Sequence, residues 1–268
     1  MSKNIHPTAI VDASIRLPES LTIGAYTRIE SGVHLGEESQ VGDFCLLGGG
    51  PEAGNRGLLV GSKAVIRSHT VIYAGGSFGD GLETGHHVII RENTQAGKNL
   101  RVGNFSDIEG DSTIGDYCRL HGYVHVGKGS RIGDFVWLFS LVTATNDPLP
   151  PSILARPVTI GDGAVVCVGA LLMPGVEIGD GAFVTAGSKA EGKIPNGAVV
   201  SGDKSEIVSH VGSLIDLESG VRHPWMRHLK TRYPQECQER LDKLMDIILK
   251  NRFSLKLTKT PKNESPTN

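Results

Sequence analysis

The chain has 268 residues, enough for one or two domains. Its 27 basic and 29 acidic residues nearly cancel, which argues against a nucleic-acid or anionic-membrane surface. Aromatics reach only 5% while glycine contributes 35 residues, so the core must draw on small and β-branched groups.

The opening MSKNIHPTAIVD carries no apolar leader, and no run of eighteen apolar residues occurs anywhere. Cys45, Cys118, Cys167 and Cys237 have neither disulfide nor metal-ligand spacing. The expectation is a cytoplasmic protein in a reducing compartment, without membrane insertion and without a bound metal.

Aliphatics then recur every six residues. Ile5, Val11, Leu17, Ile23, Ile29, Leu35, Val41 and Leu47 form a first register. A second runs from Val60 through Ile66, Ile72 and Phe78 to Leu120, Val126, Ile132 and Leu138, and a third from Ile160 to Val184. The position two before each aliphatic is also small or apolar, as at Ala64, Leu82, Val88, Cys118 and Val136. Two inward positions separated by one outward residue make a short strand. Glycine often follows the aliphatic, as at Gly24, Gly103 and Gly161, where it is expected to permit the strained backbone of a sharp corner. Strand, corner and repetition every six residues describe a triangular prism whose coils stack at roughly 4.8 Å.

The rhythm breaks twice. Leu47 to Val60 spans 13 residues, read as two hexads plus one, so that GGGPEAGNRGLL carries a small loop. Leu138 to Ile160 spans 22, read as three hexads plus four, with the surplus in the proline-rich TNDPLPPSILARP. Between 74 and 87 the stretch AGGSFGDGLETGHH is glycine-rich but keeps its register. After Pro195 the pattern fades. PQECQERLDKLMDIILKNRF, 234–253, sets Leu241, Leu244, Met245, Ile248 and Leu249 on one face of a helix. The expected organisation is a prism over 1–208, a helical extension over 209–253 and a disordered tail over 254–268.

The hexads resemble those of the hexapeptide-repeat family over roughly residues 5–208. That resemblance implies an all-β left-handed parallel β-helix with a C-terminal α-helical segment; the general crossover rule would have favoured the right hand. It also implies acyl transfer by a homotrimer with sites between adjacent subunits. TATNDPLPPS, 143–152, resembles the TND loop of the sugar-nucleotide N-acetyltransferases, which points to Asn146 beside the reacting amine and Asp147 next to it. TGHHVIIRENTQAG, 84–97, is similar to the same enzymes. LGGGPEAGNRG and IRSHTVIYAGG resemble the lipid A acyltransferase branch instead. VTIGDGAVVCVGALLMPGVEIGDGAFVTAGSKAEGKIPNGAVVSG, 158–202, resembles acetyl-CoA-binding coils. There the pantetheine arm is expected to meet backbone amides around Gly169 and Gly187, and Lys189 or Lys193 a phosphate. The closing turn departs from the family's GNPA-like form, reading Gly202, Asp203, Lys204 and Ser205.

Residues 18 apart share a column on such a prism. His69 and His87 therefore stack, Asp107 lies one coil below His125, and His86 shares a corner with His121. Acyl transfer from a thioester to an amine needs a group that takes a proton, and a positioned histidine does this. His121 or His86 is expected to be the base and Asn146 to orient the acceptor, with His125, Asp107, Asp147 and His87 lining the substrate. His86 has the phase of the lipid A acyltransferases' catalytic histidine. The implied reaction is acetyl-CoA-dependent N-acetylation of a nucleotide-linked amino sugar, for surface polysaccharide or lipopolysaccharide synthesis. Alternatives are transfer from an acyl carrier protein, a non-catalytic scaffold, and a zinc site, against which His121 and His125 stand as H-x3-H rather than H-x4-H.

Overall fold

The computed structural model describes residues 4–50 and 56–250. Within them the chain is a left-handed parallel β-helix, a prism of three sheets that are parallel throughout except where Ala198–Ser201 and Glu206–His210 pair antiparallel at the end of the first. The first face contains Asn4–Ile5, Glu83–Thr84, Arg101–Val102, Arg119–Leu120 and Trp137–Leu138 among twelve strands. The second contains Ile89–Ile90, Asp107–Ile108, His125–Val126 and Thr143–Ala144 among ten. The third contains Thr113–Ile114, Arg131–Ile132 and Thr159–Ile160 among nine. Most strands have two residues, because a six-residue repeat spends the other four on turning a corner.

The six-residue aliphatics point inward. Ile72, Ile90, Ile108, Val126, Leu138 and Leu172 are fully buried in one continuous core. Inward hydroxyls staple the corners instead of opening cavities. Ser106 donates to the His121 carbonyl at 2.9 Å and accepts from the Val124 amide at 3.0 Å. A buried hydroxyl with both roles filled avoids the desolvation cost of an unpaired one.

The corner glycines have a different purpose from the one expected. Gly24, Gly103, Gly115 and Gly161 do not adopt left-handed backbone. A Cβ at Gly115 would lie 2.3 Å from Asp134 Oδ1, the carboxylate oxygen that accepts the Asp116 amide one coil below. Glycine is needed there for close approach between coils. The left-handed residues sit two positions later, at Tyr26, Phe44, His69, His87, Phe105 and Tyr123.

Strand register also revises both insertions. Ordinary coils pair residues 18 apart, as Asp107 with His125. Val33 pairs with Leu58, 25 apart, so Leu47 to Val60 is one hexad plus seven. Arg131 pairs with Thr159, 28 apart, so ten extra residues separate Ala144 from Ile160. Six-residue arithmetic counted part of each insertion as regular repeats, whereas the pairing leaves surpluses of seven and ten residues.

The C-terminal segment covers the upper first face. Helix α1 spans Met226–Leu229 and helix α2 spans Gln235–Lys250. Their apolar residues Met226, Leu241, Leu244 and Ile248 meet Phe135, Val165 and Val199 in a second core. Arg240 ties α2 to the prism by pairing with Asp116 at 3.0 Å and with Asp134. The expected end of the helix at 251–253 and the expected disordered tail lie outside the described residues. Among the described residues no helix is long and apolar enough to cross a membrane, and no three His, Cys, Asp or Glu side chains converge as a metal site.

Candidate functional site

The corner joining the first and second faces carries a ladder of left-handed residues. Rings of Tyr26, Phe44, His69, His87, Phe105 and Tyr123 stack with successive centroids 5.1, 5.0, 4.4, 5.0 and 5.1 Å apart. Left-handed backbone costs a non-glycine residue roughly 1–2 kcal/mol, and stacking offsets roughly 0.5–1.5 kcal/mol of it per pair. His87 is one rung of this ladder. Above Leu141 the same column continues as Gly169 and Gly187, where a built Cβ meets nothing within 4 Å.

Beside the ladder, the second face holds an oriented imidazole. His125 Nδ1 lies 2.8 Å from Asp107 Oδ2, both outward in paired strands and both half-buried. The hydrogen bond to Asp107 holds the imidazole above its ordinary pKa, with burial opposing it. With Nδ1 engaged, Nε2 is the nitrogen left for a ligand. A groove of about 440 Å³ runs along this face, lined by Asp107 and Ile89, with His87 and Phe105 on one side and Arg91 and Glu109 on the other.

Asn146 lies at the opposite edge of the same face, where its side-chain amide donates to the Lys128 carbonyl at 3.4 Å. Asp147 turns away into its own loop. It accepts from the Leu149 amide at 2.9 Å, from the Ser152 amide at 2.8 Å and from the Ser152 hydroxyl at 2.6 Å, and these bonds hold its carboxyl below the usual range. It closes an Asx-type turn. The amides of Gly169 and Gly187 are likewise committed, donating to the carbonyls of Ser140 at 3.0 Å and Val168 at 2.8 Å. These glycines offer bare surface for close approach, and neither amide is left over for a ligand. Lys189 on the second face pairs with Glu191 at 2.9 Å, and Lys193 on the third with Glu177 at 3.2 Å. The two lysines do not share a face.

His121 belongs elsewhere. It occupies the corner position that is glycine at Gly85 and Gly103, and its ring stacks on Phe139 at 4.5 Å. The coil above has Ser140 where several corners, such as those at Gly85 and Gly115, have an Asn or Asp reaching across. Burial, helped by Arg119, lowers its pKa and favours the neutral ring. It lines a cleft of about 660 Å³ on the first face, below the edge of the C-terminal segment, together with Arg101, Arg119 and Trp137. His86 is exposed at the tip of the corner, outside both grooves; its backbone amide donates to Asn104 Oδ1 at 2.7 Å.

The structure sets His87, Asp107, His125, Asn146, Gly169, Gly187 and Lys189 on the second face or its edges but at different heights: His125 and Asp107 touch, whereas His87 and Gly187 stand five coils apart in one column. His121 lies in the first-face cleft, His86 at the exposed tip of the corner, Asp147 in its own loop and Lys193 on the third face. The arginines of the first-face cleft escaped the sequence reading, although Glu83, Arg101, Arg119 and Trp137 stand 18 apart in one column.

No family model matches the sequence, and no curated protein matches it. Solved structures match it at low identity. The UDP-N-acetylglucosamine acyltransferase of Arabidopsis is 16% identical over 78% of this chain and 73% of its own, with a TM-score of 0.41. The UDP-N-acetylglucosamine acyltransferase from Campylobacter jejuni is 15% identical over 94% and 92%, with a TM-score of 0.39. PerB from Caulobacter crescentus, crystallised with CoA and GDP-perosamine, is 14% identical over 78% and 58%, with a TM-score of 0.26.

Proposed function

We propose that this chain is an acyltransferase that moves an acetyl group from acetyl-CoA to the amine of a nucleotide-linked amino sugar. The observation that carries the reading is the His125–Asp107 pair on an open face, with Asn146 at one edge and the bare Gly169–Gly187 edge at the other. The TND loop and the 158–202 coils support the donor and acceptor classes by their resemblance. In this reading the acceptor nitrogen attacks the thioester carbonyl and Nε2 of His125 takes its proton. Asp107 holds Nδ1–H, orients the ring and stabilises the imidazolium. The tetrahedral intermediate expels the CoA thiolate, which the same proton can neutralise. A positioned base of this kind contributes on the order of 10²–10⁴-fold.

His121 is the second choice of base, because burial favours its neutral form; His86 is the third. The assembly proposed is a cytoplasmic homotrimer serving surface polysaccharide or lipopolysaccharide synthesis, in which a neighbouring subunit completes the groove and can bring His121 and Asn146 together. Calorimetric titration with acetyl-CoA beside a long-chain acyl carrier protein tests the donor. Binding of acetyl-CoA supports the proposal, binding of the carrier protein alone moves the chain to lipid acylation, and binding of neither refutes acyl transfer. Turnover of His125→Ala, His121→Ala and His86→Ala then assigns the base, with a loss of a hundredfold or more expected for His125→Ala alone.

A further inference from the structure

The first-face cleft is strongly cationic in a chain that is nearly neutral overall. Arg67, Arg101, Arg119 and Arg232 line it against the single carboxylate of Glu83. Glu83 is already shared, 2.8 Å from Arg67 Nη2 and 3.1 Å from Arg101 Nε. Among the described residues no carboxylate pairs with Arg119 or Arg232. Arg119 is nevertheless held in place, its guanidinium carbon 5.4 Å from the Trp137 ring centroid and 5.8 Å from that of Tyr233. Aromatic faces position a guanidinium without neutralising it, so its donor edge stays available.

Two buried polar groups stand at the same place. The Tyr233 hydroxyl and the Trp137 indole N–H close no well-formed hydrogen bond among the described residues, although Arg119 and Trp137 both lie within polar reach of the hydroxyl, and Tyr233 is only 5% exposed. An acceptor supplied by a ligand would complete the hydrogen bonding of these buried groups. Guanidinium forks match the oxygens of phosphate, and the part-exposed rings of Trp137 and His121 beside them offer planes to a base. At about 660 Å³ the cleft lies within the ordinary range for a small ligand.

We infer that this cleft binds the diphosphate of a nucleoside diphosphate group, the arginines holding the phosphates and the aromatic wall the base. The inference does not depend on acyl transfer, since it concerns binding on a different face from His125. Two sources share the chemistry: the nucleotide of a nucleotide-linked sugar and the adenosine bisphosphate end of CoA.

The test is titration of the whole protein at low salt with inorganic pyrophosphate, UDP and adenosine 3′,5′-bisphosphate, read by calorimetry and by quenching of tryptophan fluorescence. Pyrophosphate should bind, and one of the nucleotides should bind at least tenfold more tightly. Arg119→Gln and Arg232→Gln should each weaken binding tenfold or more, while Arg131→Gln, exposed on the third face, leaves it unchanged. Preference for UDP assigns the cleft to a nucleotide sugar, and preference for the bisphosphate assigns it to CoA. If Arg119→Gln does not fold, the exposed Arg232→Gln carries the test. Absence of binding at millimolar concentration, or full affinity in the arginine variants, overturns the inference.

Discussion

Gly103→Ala should be far more damaging than Gly169→Ala, although only Gly169 has left-handed backbone. At Gly169, φ is +68° and a built Cβ meets nothing within 4 Å, so the cost is the backbone strain alone, about 1–2 kcal/mol. At Gly103 there is no such strain, but the Cβ would lie 2.4 Å from both the Gly122 nitrogen and the His121 carbonyl carbon. Both are main-chain atoms of the next coil and cannot rotate away. Restoring an ordinary 3.4 Å contact requires the coils to part by about 1 Å. That stretches the bonds from Gly103 N to the Leu120 carbonyl (2.7 Å) and from Tyr123 N to the Asn104 carbonyl (2.9 Å). Overpacking of about 1–3 kcal/mol and about 1 kcal/mol for each weakened bond give roughly 3–5 kcal/mol. Urea unfolding followed by circular dichroism gives the two values side by side. A Gly103→Ala protein no less stable than Gly169→Ala would refute the close-approach account of the corners and restore the conformational one.

Ile108→Ala, at a fully buried position in the middle of the prism, should cost about 2–5 kcal/mol with a matching fall in Tm. The raised pKa of His125 means that the pair with Asp107 stabilises the fold fully below the unfolded-state value of about 6.5 and stops doing so as pH rises through the folded value. The stability gap between wild type and Asp107→Asn should therefore be largest in mild acid and close towards alkaline pH. Both side chains are partly solvated, so the gap should stay within about 1 kcal/mol; a gap that widens above neutrality contradicts the assignment. Burial pushes the Cys118 thiol up to about 12 and the Cys167 thiol to about 11. Neither should react appreciably with a thiol-exchange reagent at pH 8 until the protein is unfolded, and rapid native labelling of Cys118 would show the core to be open.

Much of this molecule was legible in one dimension because the prism converts sequence spacing directly into geometry. A six-residue period names the inward positions, and an 18-residue period names vertical neighbours. Ile72, Ile108 and Val126 could thus be placed in the core, His87 over His69, and His125 over Asp107, before any coordinates. The same arithmetic failed at the two insertions, since a count of residues cannot distinguish a strand from a loop of equal length. Only paired backbones revealed surpluses of seven and ten.

Tertiary structure alone decided what each outward group faces. Spacing brings Asp147 next to Asn146, but the turn it caps with Ser152 commits its carboxylate to its own loop. Spacing puts His121 at the corner, but the stacked Phe139 and the overhanging C-terminal segment set it in an arginine-lined cleft rather than beside His125. Tyr233 and Arg232, more than a hundred residues further along the chain, reach that cleft only because α2 buries Leu241, Leu244 and Ile248 against the first face. Repetition transmits position along the prism, whereas the meeting of two separately folded segments is fixed by which apolar surfaces bury each other.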